Sequence, residues 1–263
     1  MLLQPKQTIV YGPVRSRRLG RSLGINLLPA GRKVCSFDCQ YCQYGFSAPV
    51  LPGSRPGADD GSRGSAPRNS FPEPEQVLAA VEAALGELDE APAWLTFSGN
   101  GEPTFHPRFA EIVDRVIDLR DRRVPQARTA ILSNSTRVGD EAISGSLSRL
   151  DARIMKLDVG TEAGLQRFNQ AAASLHLETI VSGLARLGDV TLQSLFAGGA
   201  SGNLDAAEVD AWLAAVTRIR PRAVQLYTLD RDAPNAGLTR ARAEELHDIH
   251  TRLAAYGVVA AVY

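Results

Sequence analysis

The sequence predicts an α/β protein whose strands run parallel within one sheet. Short β-rich runs alternate with longer segments in which apolar residues recur every three or four positions. Such alternation implies right-handed crossovers, and therefore a barrel, an incomplete barrel or a doubly wound sheet. A chain of 263 residues is long enough for one such domain, so we expect a single domain over residues 1–263. In all three architectures the chemistry lies at the carboxyl ends of the strands.

The elements follow one another in a regular order that one long segment interrupts. Predicted strands cover residues 22–28, 93–98, 129–134, 153–159, 190–196 and 223–229, with 257–263 as a candidate seventh. Predicted helices cover residues 74–88, 106–121, 140–150, 175–187, 204–219 and 239–257. Residues 47–74 are dense in Pro, Gly, Ser and charge, so we expect an irregular surface loop there, close to the site.

Composition limits the classes of partner and compartment. The 29 basic and 29 acidic side chains give no net charge, so a nucleic acid or an anionic membrane would have to be bound by a local patch. The sequence shows neither a signal-peptide pattern nor an apolar run of about 18 residues, so we expect no membrane association and a cytoplasmic protein. Because the cytoplasm is reducing, clustered cysteines there favour metal binding or catalysis over a disulfide.

All the cysteines of the chain lie in one short loop after the first predicted strand. Cys35, Cys39 and Cys42 have the spacing C-x3-C-x2-C, and three thiolates so spaced can converge on a soft metal centre. A structural zinc needs four protein ligands, and the histidines are distant in sequence. A [4Fe-4S] cluster bound by three cysteines leaves one iron open. A zinc site with three cysteines and one histidine is the alternative.

The cysteine motif, with Tyr41 as its aromatic residue, resembles the signature of the radical S-adenosylmethionine (radical SAM) superfamily. The resemblance implies a (β/α)6 partial TIM barrel and a [4Fe-4S] cluster whose open iron binds the methionine part of S-adenosyl-L-methionine. It also implies reductive cleavage of that cofactor to a 5′-deoxyadenosyl radical, with Tyr41 near the adenine. No further cysteine is present for a second cluster, and the length leaves no room for a flavodoxin module, so the electron should come from a separate low-potential flavodoxin or ferredoxin.

A glycine-rich turn, SGNGEPT at residues 98–104, follows the second predicted strand. Gly99, Asn100 and Gly101 form a run that allows a positive φ and a close backbone approach to a ligand. The turn is similar to the glycine-glycine-glutamate motif of the superfamily, which implies that its backbone and Glu102 contact the methionine amine. Asn100 departs from that motif but leaves the backbone role intact. The alternative is an ordinary βα turn with a capping carboxylate.

Polar residues also end the third predicted strand. Ser133 and Asn134 suit the ribose hydroxyls or the methionine carboxylate, and family members place polar residues similarly. The alternative is a helix N-cap formed by Ser135 or Thr136.

Two charged residues interrupt the apolar fourth strand. Lys156 and Asp158 share a face by the two-residue period, and burying them is costly unless they are paired or face a polar site. The functional interpretation puts Asp158 at the barrel mouth as a cofactor or substrate contact, with Lys156 deeper and paired. The alternative is an ion pair that serves only the fold. Weaker candidates are Gln193, Tyr227 and Arg231.

An arginine-rich run precedes the first predicted strand, comprising Arg15, Arg17, Arg18 and Arg21. It could bind the phosphates of an RNA, or it could be solvated or paired with acids. Together with YCQYG and SGNGEPT, this run resembles the wyosine-synthase-like branch of tRNA-modifying Fe-S oxidoreductases, which implies a tRNA base as substrate. A small molecule or peptide substrate is the alternative, and a zinc-stabilised binding module is the non-enzymatic one.

Overall fold

The computed structural model describes residues 2–47 and 70–263, and its main feature is an eight-stranded sheet. The strands of the chain are β1 (Val10–Ser16), β2 (Gly20–Ile25), β3 (Trp94–Phe97), β4 (Arg128–Ser133), β5 (Ala152–Lys156), β6 (Thr191–Leu195), β7 (Ala197–Gly198), β8 (Ala223–Tyr227), β9 (Thr239–Arg240) and β10 (Ala260–Val262). The strands β7 and β9 pair with each other outside the large sheet.

Helices connect the parallel strands. They are α1 (Pro74–Gly86), α2 (Phe109–Arg123), α3 (Glu141–Ser148), α4 (Glu162–Gly164), α5 (Leu177–Leu187), α6 (Ala206–Ile219) and α7 (Ala243–Ala255). A π-helical segment (Leu165–Asn169) continues directly from α4, and a single 3₁₀ turn (Pro103–Phe105) lies between β3 and α2.

The strand order confirms the predicted (β/α)6 topology. The sheet runs β1-β2-β3-β4-β5-β6-β8-β10, and every neighbouring pair from β2 to β10 is parallel. Because this order follows the chain without reversal, it is the order of a barrel and not of a doubly wound sheet, whose order reverses at a switch point. Six β/α units therefore lead to a seventh parallel strand, and the sheet order ends at β1 and β10 within the described residues.

The structure differs from the sequence-based prediction at the N-terminal side. The segment that carries the arginine-rich run is an antiparallel hairpin of β1 and β2: Arg15 lies in β1, Arg17 and Arg18 lie in the turn, and Arg21 lies in β2. Pro13 obscures β1 in the sequence, because proline is found in sheets at edges and bulges. Both apply here: β1 is an edge strand, and its register shifts between Tyr11 and Val14.

Two other predictions concern the extent of the chain. The predicted loop at 47–74 lies outside the described residues except at its two ends, of which Pro74 begins α1. The single domain over 1–263 stays a prediction.

The core lies between the sheet and the helices that cover it, and it fixes where the strands end. Phe97, Ile131 and Leu192 are fully buried, together with α2 and α6 residues such as Ile112 and Trp212. The Trp212 indole donates to the carbonyl of Leu157 at 2.8 Å, which anchors α6 beside the carboxyl end of β5. Among the described residues, no helix is long and apolar enough to cross a membrane.

Candidate functional site

A cavity of about 340 Å³ opens at the carboxyl ends of the parallel strands. Nearly all the residues predicted from the sequence line it: Cys35, Cys39, Tyr41, Cys42, Gly99, Gly101, Glu102, Ser133, Asn134, Lys156, Gln193, Tyr227 and Arg231. Asn100 and Asp158 lie behind its wall. The cavity is therefore a single site assembled from the loops that follow β2, β3 and β4 and from the ends of β5, β6 and β8.

The cysteine loop (residues 33–47) is closed at its base by a buried ion pair. Lys33 Nζ donates to Asp38 Oδ1 at 2.7 Å and to the carbonyl of Gly45 at 2.8 Å. The Ser47 backbone N–H donates to the same carboxylate oxygen at 2.8 Å. A desolvated pair of this kind needs such further hydrogen bonds to offset the cost of its burial. The contacts join the beginning of the loop to its end around the three cysteines.

The thiols of Cys35 and Cys39 are buried, which disfavours their thiolate forms. Burial raises the pKa of Cys35 to about 12 and that of Cys39 to about 11. Burial also acts to lower the pKa of Lys33, but Cys42, Cys35 and Asp38 outweigh it and the pKa is raised. A bound metal centre deprotonates coordinating thiols outright, so an iron cluster would reverse the shifts at the cysteines.

The donor set suits a cluster. Within residues 2–47 and 70–263, no three His, Cys, Asp or Glu side chains are grouped to hold one metal ion. A [4Fe-4S] cluster offers separate irons to its cysteine ligands, so the ligands need not converge on one point. Three thiols lining one cavity are the residues that would hold it.

The glycine turn after β3 is joined directly to the cysteine loop. Val34 N–H donates to the carbonyl of Asn100 at 2.8 Å, and Glu102 N–H donates to the carbonyl of Val34 at 2.9 Å. Gly101 has φ +128°, and a β-carbon built there would overlap the Val34 carbonyl. Only glycine fits at this point, because the two backbones are in contact.

The side chain of Asn100 points away from the cavity. Its Oδ1 accepts from Lys6 N–H at 2.6 Å, and its Nδ2 donates to the carbonyls of Lys6 and Pro29 at 2.9 and 3.0 Å. The Asn100 N–H donates to Asn26 Oδ1 at 3.0 Å. Asn100 therefore ties the turn to the N-terminal segment, and only its backbone is available for the predicted role.

Glu102, Ser133 and Asn134 form one buried cluster on the cavity wall. Ser133 Oγ donates to Glu102 Oε1 at 3.0 Å, and Asn134 N–H donates to Glu102 Oε2 at 2.5 Å. Thr104 N–H and Oγ also donate to Oε1, at 3.1 and 2.8 Å. Burial, the largest effect, raises the pKa of Glu102, while these hydrogen bonds act in the opposite direction. Oε1 takes three donors and Oε2 one, which leaves Oε2 with acceptor capacity.

The helix-cap alternative for the end of β4 is wrong. Asp140 caps α3, accepting from the N–H groups of Ala142 and Ile143. The Asn134 Nδ2 instead donates to Ser36 Oγ at 2.8 Å and to Cys35 Sγ at 3.4 Å. Asn134 thus contacts one of the thiols as well as Glu102.

The relative depth of Lys156 and Asp158 is the reverse of the prediction. Lys156 lines the cavity, whereas the Asp158 side chain is 1% exposed and lies behind it. Lys156 Nζ is 2.9 Å from Asp158 Oδ1, and it donates to Tyr227 OH at 2.6 Å. The reason is that β5 ends at Lys156, so the two-residue alternation no longer sets the direction of residue 158.

Asp158 binds four donors from different parts of the chain. Besides Lys156, they are Tyr41 OH, Asn169 Nδ2 at 2.9 Å and Leu195 N–H at 2.8 Å. Burial acts to lower the pKa of Lys156, but Asp158 and Tyr227 outweigh it and hold the pKa above its usual value. Lys156 therefore presents a cation to the cavity, and Asp158 positions Lys156 and Tyr41.

Three features of the site were missed in the sequence: the Lys33–Asp38 pair, Asn169, and the π-helical segment. Short π-helical stretches inside helices are frequent at functional sites. Asp38 and Gln40 donate their N–H groups to carbonyls of this segment, at 2.9 and 3.0 Å. In the sequence, nothing distinguishes this segment between α4 and α5 from an ordinary connection. The sequence signal for Lys33 and Asp38 was their position around the motif, but their pairing depends on how the loop folds.

Two arginines of the predicted basic run reach the cavity rim. Arg17 pairs with Asp230 at 3.2 Å, and the Arg18 guanidinium stacks 4.4 Å from the Tyr227 ring centroid. Arg21 instead pairs with Glu90 at 2.6 Å and does not line the cavity. Within the described residues, Arg18 Nε is buried without a hydrogen-bond partner.

Solved structures share this fold. The chain matches a radical SAM methyltransferase from Sphaerobacter thermophilus with a TM-score of 0.65 at 15% identity, over 92% of this chain and 65% of that one. It matches native anSMEcpe with bound AdoMet with a TM-score of 0.58 at 15% identity, over 92% of this chain and 63% of that one. The structure of TYW1 with a lysine-pyruvate adduct bound matches with a TM-score of 0.57 at 16% identity, over 89% and 73%.

Sequence comparison identifies the family. The model of the radical SAM superfamily matches residues 33–147. A UPF0026 protein of Synechocystis sp. is 32% identical over 236 residues, which cover 86% of this chain and 77% of that protein. A UPF0026 protein of Methanocaldococcus jannaschii is 33% identical over 183 residues, 69% of this chain but only half the length of that relative. The chain belongs to the radical SAM superfamily, whose enzymes use a [4Fe-4S] cluster and S-adenosylmethionine, and it is a relative of the UPF0026 proteins.

Proposed function

We propose that this protein is a radical SAM enzyme that cleaves S-adenosylmethionine reductively to modify a substrate. One observation carries the proposal: the three cysteines and the Gly99–Glu102 turn line the same cavity, and the bridge between Val34 and Gly101 holds the two loops together. This arrangement supports the proposal that the cysteines are cluster ligands and that Glu102 is the carboxylate for the methionine amine.

Different side chains would bind the cluster and S-adenosylmethionine. Cys35, Cys39 and Cys42 would hold the cluster, and the free acceptor capacity of Glu102 Oε2 suits the methionine ammonium. When bound, the reduced cluster supplies the electron that cleaves S-adenosylmethionine to a 5′-deoxyadenosyl radical. Lys156 presents a cation to the cavity floor for a carboxylate or hydroxyl.

Several residues orient their neighbours in this arrangement. Ser133 and Asn134 hold the Glu102 carboxylate. Tyr41, with its ring 5.1 Å from that of Phe168 and its hydroxyl on Asp158, offers a fixed aromatic face near the cluster loop for the adenine.

Anaerobic reconstitution with iron and sulfide tests this function. We expect a brown protein with about four irons per chain that forms 5′-deoxyadenosine when dithionite is added. Cys42→Ser should lose the iron, whereas Glu102→Gln should keep the iron and lose affinity for S-adenosylmethionine. Ser148→Ala, on α3 away from the cavity, is the control. Stoichiometric zinc without any cleavage would overturn the proposal in favour of a binding module.

For the substrate we propose a tRNA base, reached by a cytoplasmic enzyme that takes its electron from a low-potential flavodoxin or ferredoxin. The support is the cationic rim, where Arg17, Arg18 and Arg231 lie at the mouth of the cavity. The Arg18 guanidinium stacks on the Tyr227 ring at this rim, where its charge would attract a phosphate. Phosphate contacts of this kind fix the register of an RNA without reading its sequence.

Retention of tRNA at increasing salt tests the substrate class. We expect binding that weakens with salt, and a slope of log affinity against log salt that falls by about 0.7–0.9 for each phosphate contact removed. Arg18→Gln and Arg231→Gln should lower the slope, and Arg21→Gln, paired with Glu90 away from the rim, is the matched control. Absence of retention at low salt would favour a small molecule or peptide substrate.

A further inference from the structure

Asn169, at the end of the π-helical segment, donates to one of the cysteine sulfurs. Its Nδ2 lies 3.4 Å from Cys39 Sγ and 2.9 Å from Asp158 Oδ2. An amide nitrogen carries two hydrogens, and here one is directed to each acceptor. The carboxylate can only accept when ionised, so it fixes the amide with its nitrogen, not its oxygen, toward the sulfur. The orientation of the Asn169 side chain is therefore set from behind by Asp158.

The backbone around Asn169 is equally well held. Asp38 N–H donates to the carbonyl of Asn169 at 2.9 Å, and Gln40 N–H donates to the carbonyl of Phe168 at 3.0 Å. These two bonds flank Cys39 in the sequence. Asn169 is 1% exposed in relative terms, so water does not compete for its amide. The π-helical segment thus holds the Asn169 amide in a fixed position beside Cys39.

We propose that Asn169 is a positioning residue that raises the reduction potential of the cluster through its hydrogen bond to Cys39 Sγ. This proposal rests on the proposed function, because it needs the cluster to be bound by Cys39. Reduction adds negative charge to the cluster and its thiolates, and an N–H donor stabilises that added charge. Hydrogen bonds to the sulfurs are among the factors that set iron-sulfur potentials. Loss of the donor should therefore make the potential more negative.

A second contact of the same kind lies on the other side of the loop. Asn134 Nδ2 donates to Cys35 Sγ at 3.4 Å, from the end of β4. Asn134 also holds Glu102, so its substitution would change the cofactor site as well. Asn169 contacts neither Glu102 nor the glycine turn in any described hydrogen bond, which makes it the cleaner position to test.

The experiment is an EPR-monitored redox titration of the reconstituted protein. We expect Asn169→Leu, which keeps the approximate size but has no donor, to shift the midpoint potential to a more negative value. A tenfold change in the reduction equilibrium corresponds to 59 mV for one electron. Asn169→Gln, which retains an amide, should lie between Asn169→Leu and the unsubstituted protein.

The matched control is Gln40→Leu. Gln40 lies beside Cys39 and also bridges the cysteine loop and the π-helical segment. Its Nε2 donates to the carbonyl of Arg167 at 3.2 Å and makes no described contact with a sulfur. We expect this variant to leave the potential unchanged. An equal shift in Gln40→Leu and Asn169→Leu, or no shift in Asn169→Leu, would overturn the proposal. Should Asn169→Leu bind no cluster, Asn169→Ala is titrated with the same expected direction.

The outcome separates this inference from the proposed function. If the unsubstituted protein forms no [4Fe-4S] cluster, the proposed function has failed. If it forms the cluster and cleaves S-adenosylmethionine, but the Asn169 variants titrate with the same potential, only the role of Asn169 is refuted.

Discussion

The turn between β3 and α2 shows how neighbouring residues of one motif can have opposite requirements. Asn100 carries a full side chain because that side chain points away from the cavity, where the N-terminal segment satisfies its buried amide. Gly101 admits none, because the Val34 carbonyl occupies the place of a β-carbon. The departure from a glycine-glycine-glutamate motif at Asn100 is therefore compatible with an intact site, whereas one at Gly101 would not be.

We predict that Gly101→Ala separates the glycine turn from the cysteine loop. The positive φ and the overlap with Val34 should cost about 1–3 kcal/mol of stability and reduce iron loading. Urea unfolding of the apo protein and iron analysis after reconstitution measure the two effects. Gly145→Ala is the control, because a β-carbon there meets nothing within 4 Å and alanine favours its helix. A Gly101→Ala variant with unchanged iron content and stability would refute the proposed contact.

At the scale of elements, His106 connects the segments that precede two helices, α1 and α2. Its Nε2 is 2.8 Å from the carbonyl of Pro72, just before α1, and its Nδ1 accepts from Arg108 N–H at 3.0 Å, just before α2. A ring that accepts at Nδ1 and donates at Nε2 is neutral. Burial lowers the pKa of His106 below its ordinary value of 6.5. This histidine therefore serves the packing of helices and is engaged away from the cysteines.

We predict a pH-dependent contribution of His106 to stability. Since its pKa is lower in the folded state, the unfolded chain binds more protons once the pH falls below about 6.5, and the stabilisation by the neutral ring is lost there. His106→Gln should cost about 1 kcal/mol at pH 7.5 through its lost hydrogen bonds, and the difference from the unsubstituted protein should shrink by pH 5.5. Urea unfolding at both pH values measures this. His247→Gln, at an exposed position of α7, is the control, and a difference that grows on acidification would contradict the assignment.

At the scale of the whole molecule, a large apolar core is distinct from the small site that the cysteine loop forms. Most buried apolar residues of the sheet and helices form one continuous cluster, to which the cysteine loop contributes the buried residues Cys35 and Phe37. Val34 of the loop packs with Leu28 and Phe105 in a small second cluster. The loop is held to the rest by polar contacts at its base, by the glycine turn and by the π-helical segment. Removal of an iron cluster should therefore act locally, because it leaves the core contacts in place.

We predict that removing the cluster with a chelator increases hydrogen exchange only around the site. Protection should fall in residues 33–47 and in the π-helical segment, while β3, β4, β5 and α2 keep theirs. Hydrogen-deuterium exchange of loaded and stripped protein measures this, with the iron-saturated chelator as control. Cooperative loss of protection throughout the sheet would show instead that the cluster maintains the whole fold.

Much of the fold was predictable because its signals are local and repeated. The alternation of strand and helix patterns predicted the β/α order and the parallel strands of the large sheet, with β10 as the seventh. It missed the two short strands outside that sheet, β7 and β9, and β9 lies where a helix from residue 239 was predicted. The strand β1 was not predictable in this way, because Pro13 and the arginines hide a pairing that its position at the edge permits. The π-helical segment was not predictable either, because only its long-range contacts with the cysteine loop distinguish it from an ordinary connection.

The sequence by itself determined the type of chemistry, because the cysteine spacing and the glycine turn are each contained in a few consecutive residues. Tertiary structure decided which groups face the cavity. Asp158 reaches Tyr41 across 117 positions of the chain, and Asn169 reaches Cys39 across 130. Contacts of that range depend on where β5 ends and on how the following segment packs. The fold therefore decided that Lys156 faces the site, that Asp158 supports it, and that an amide lies against a sulfur.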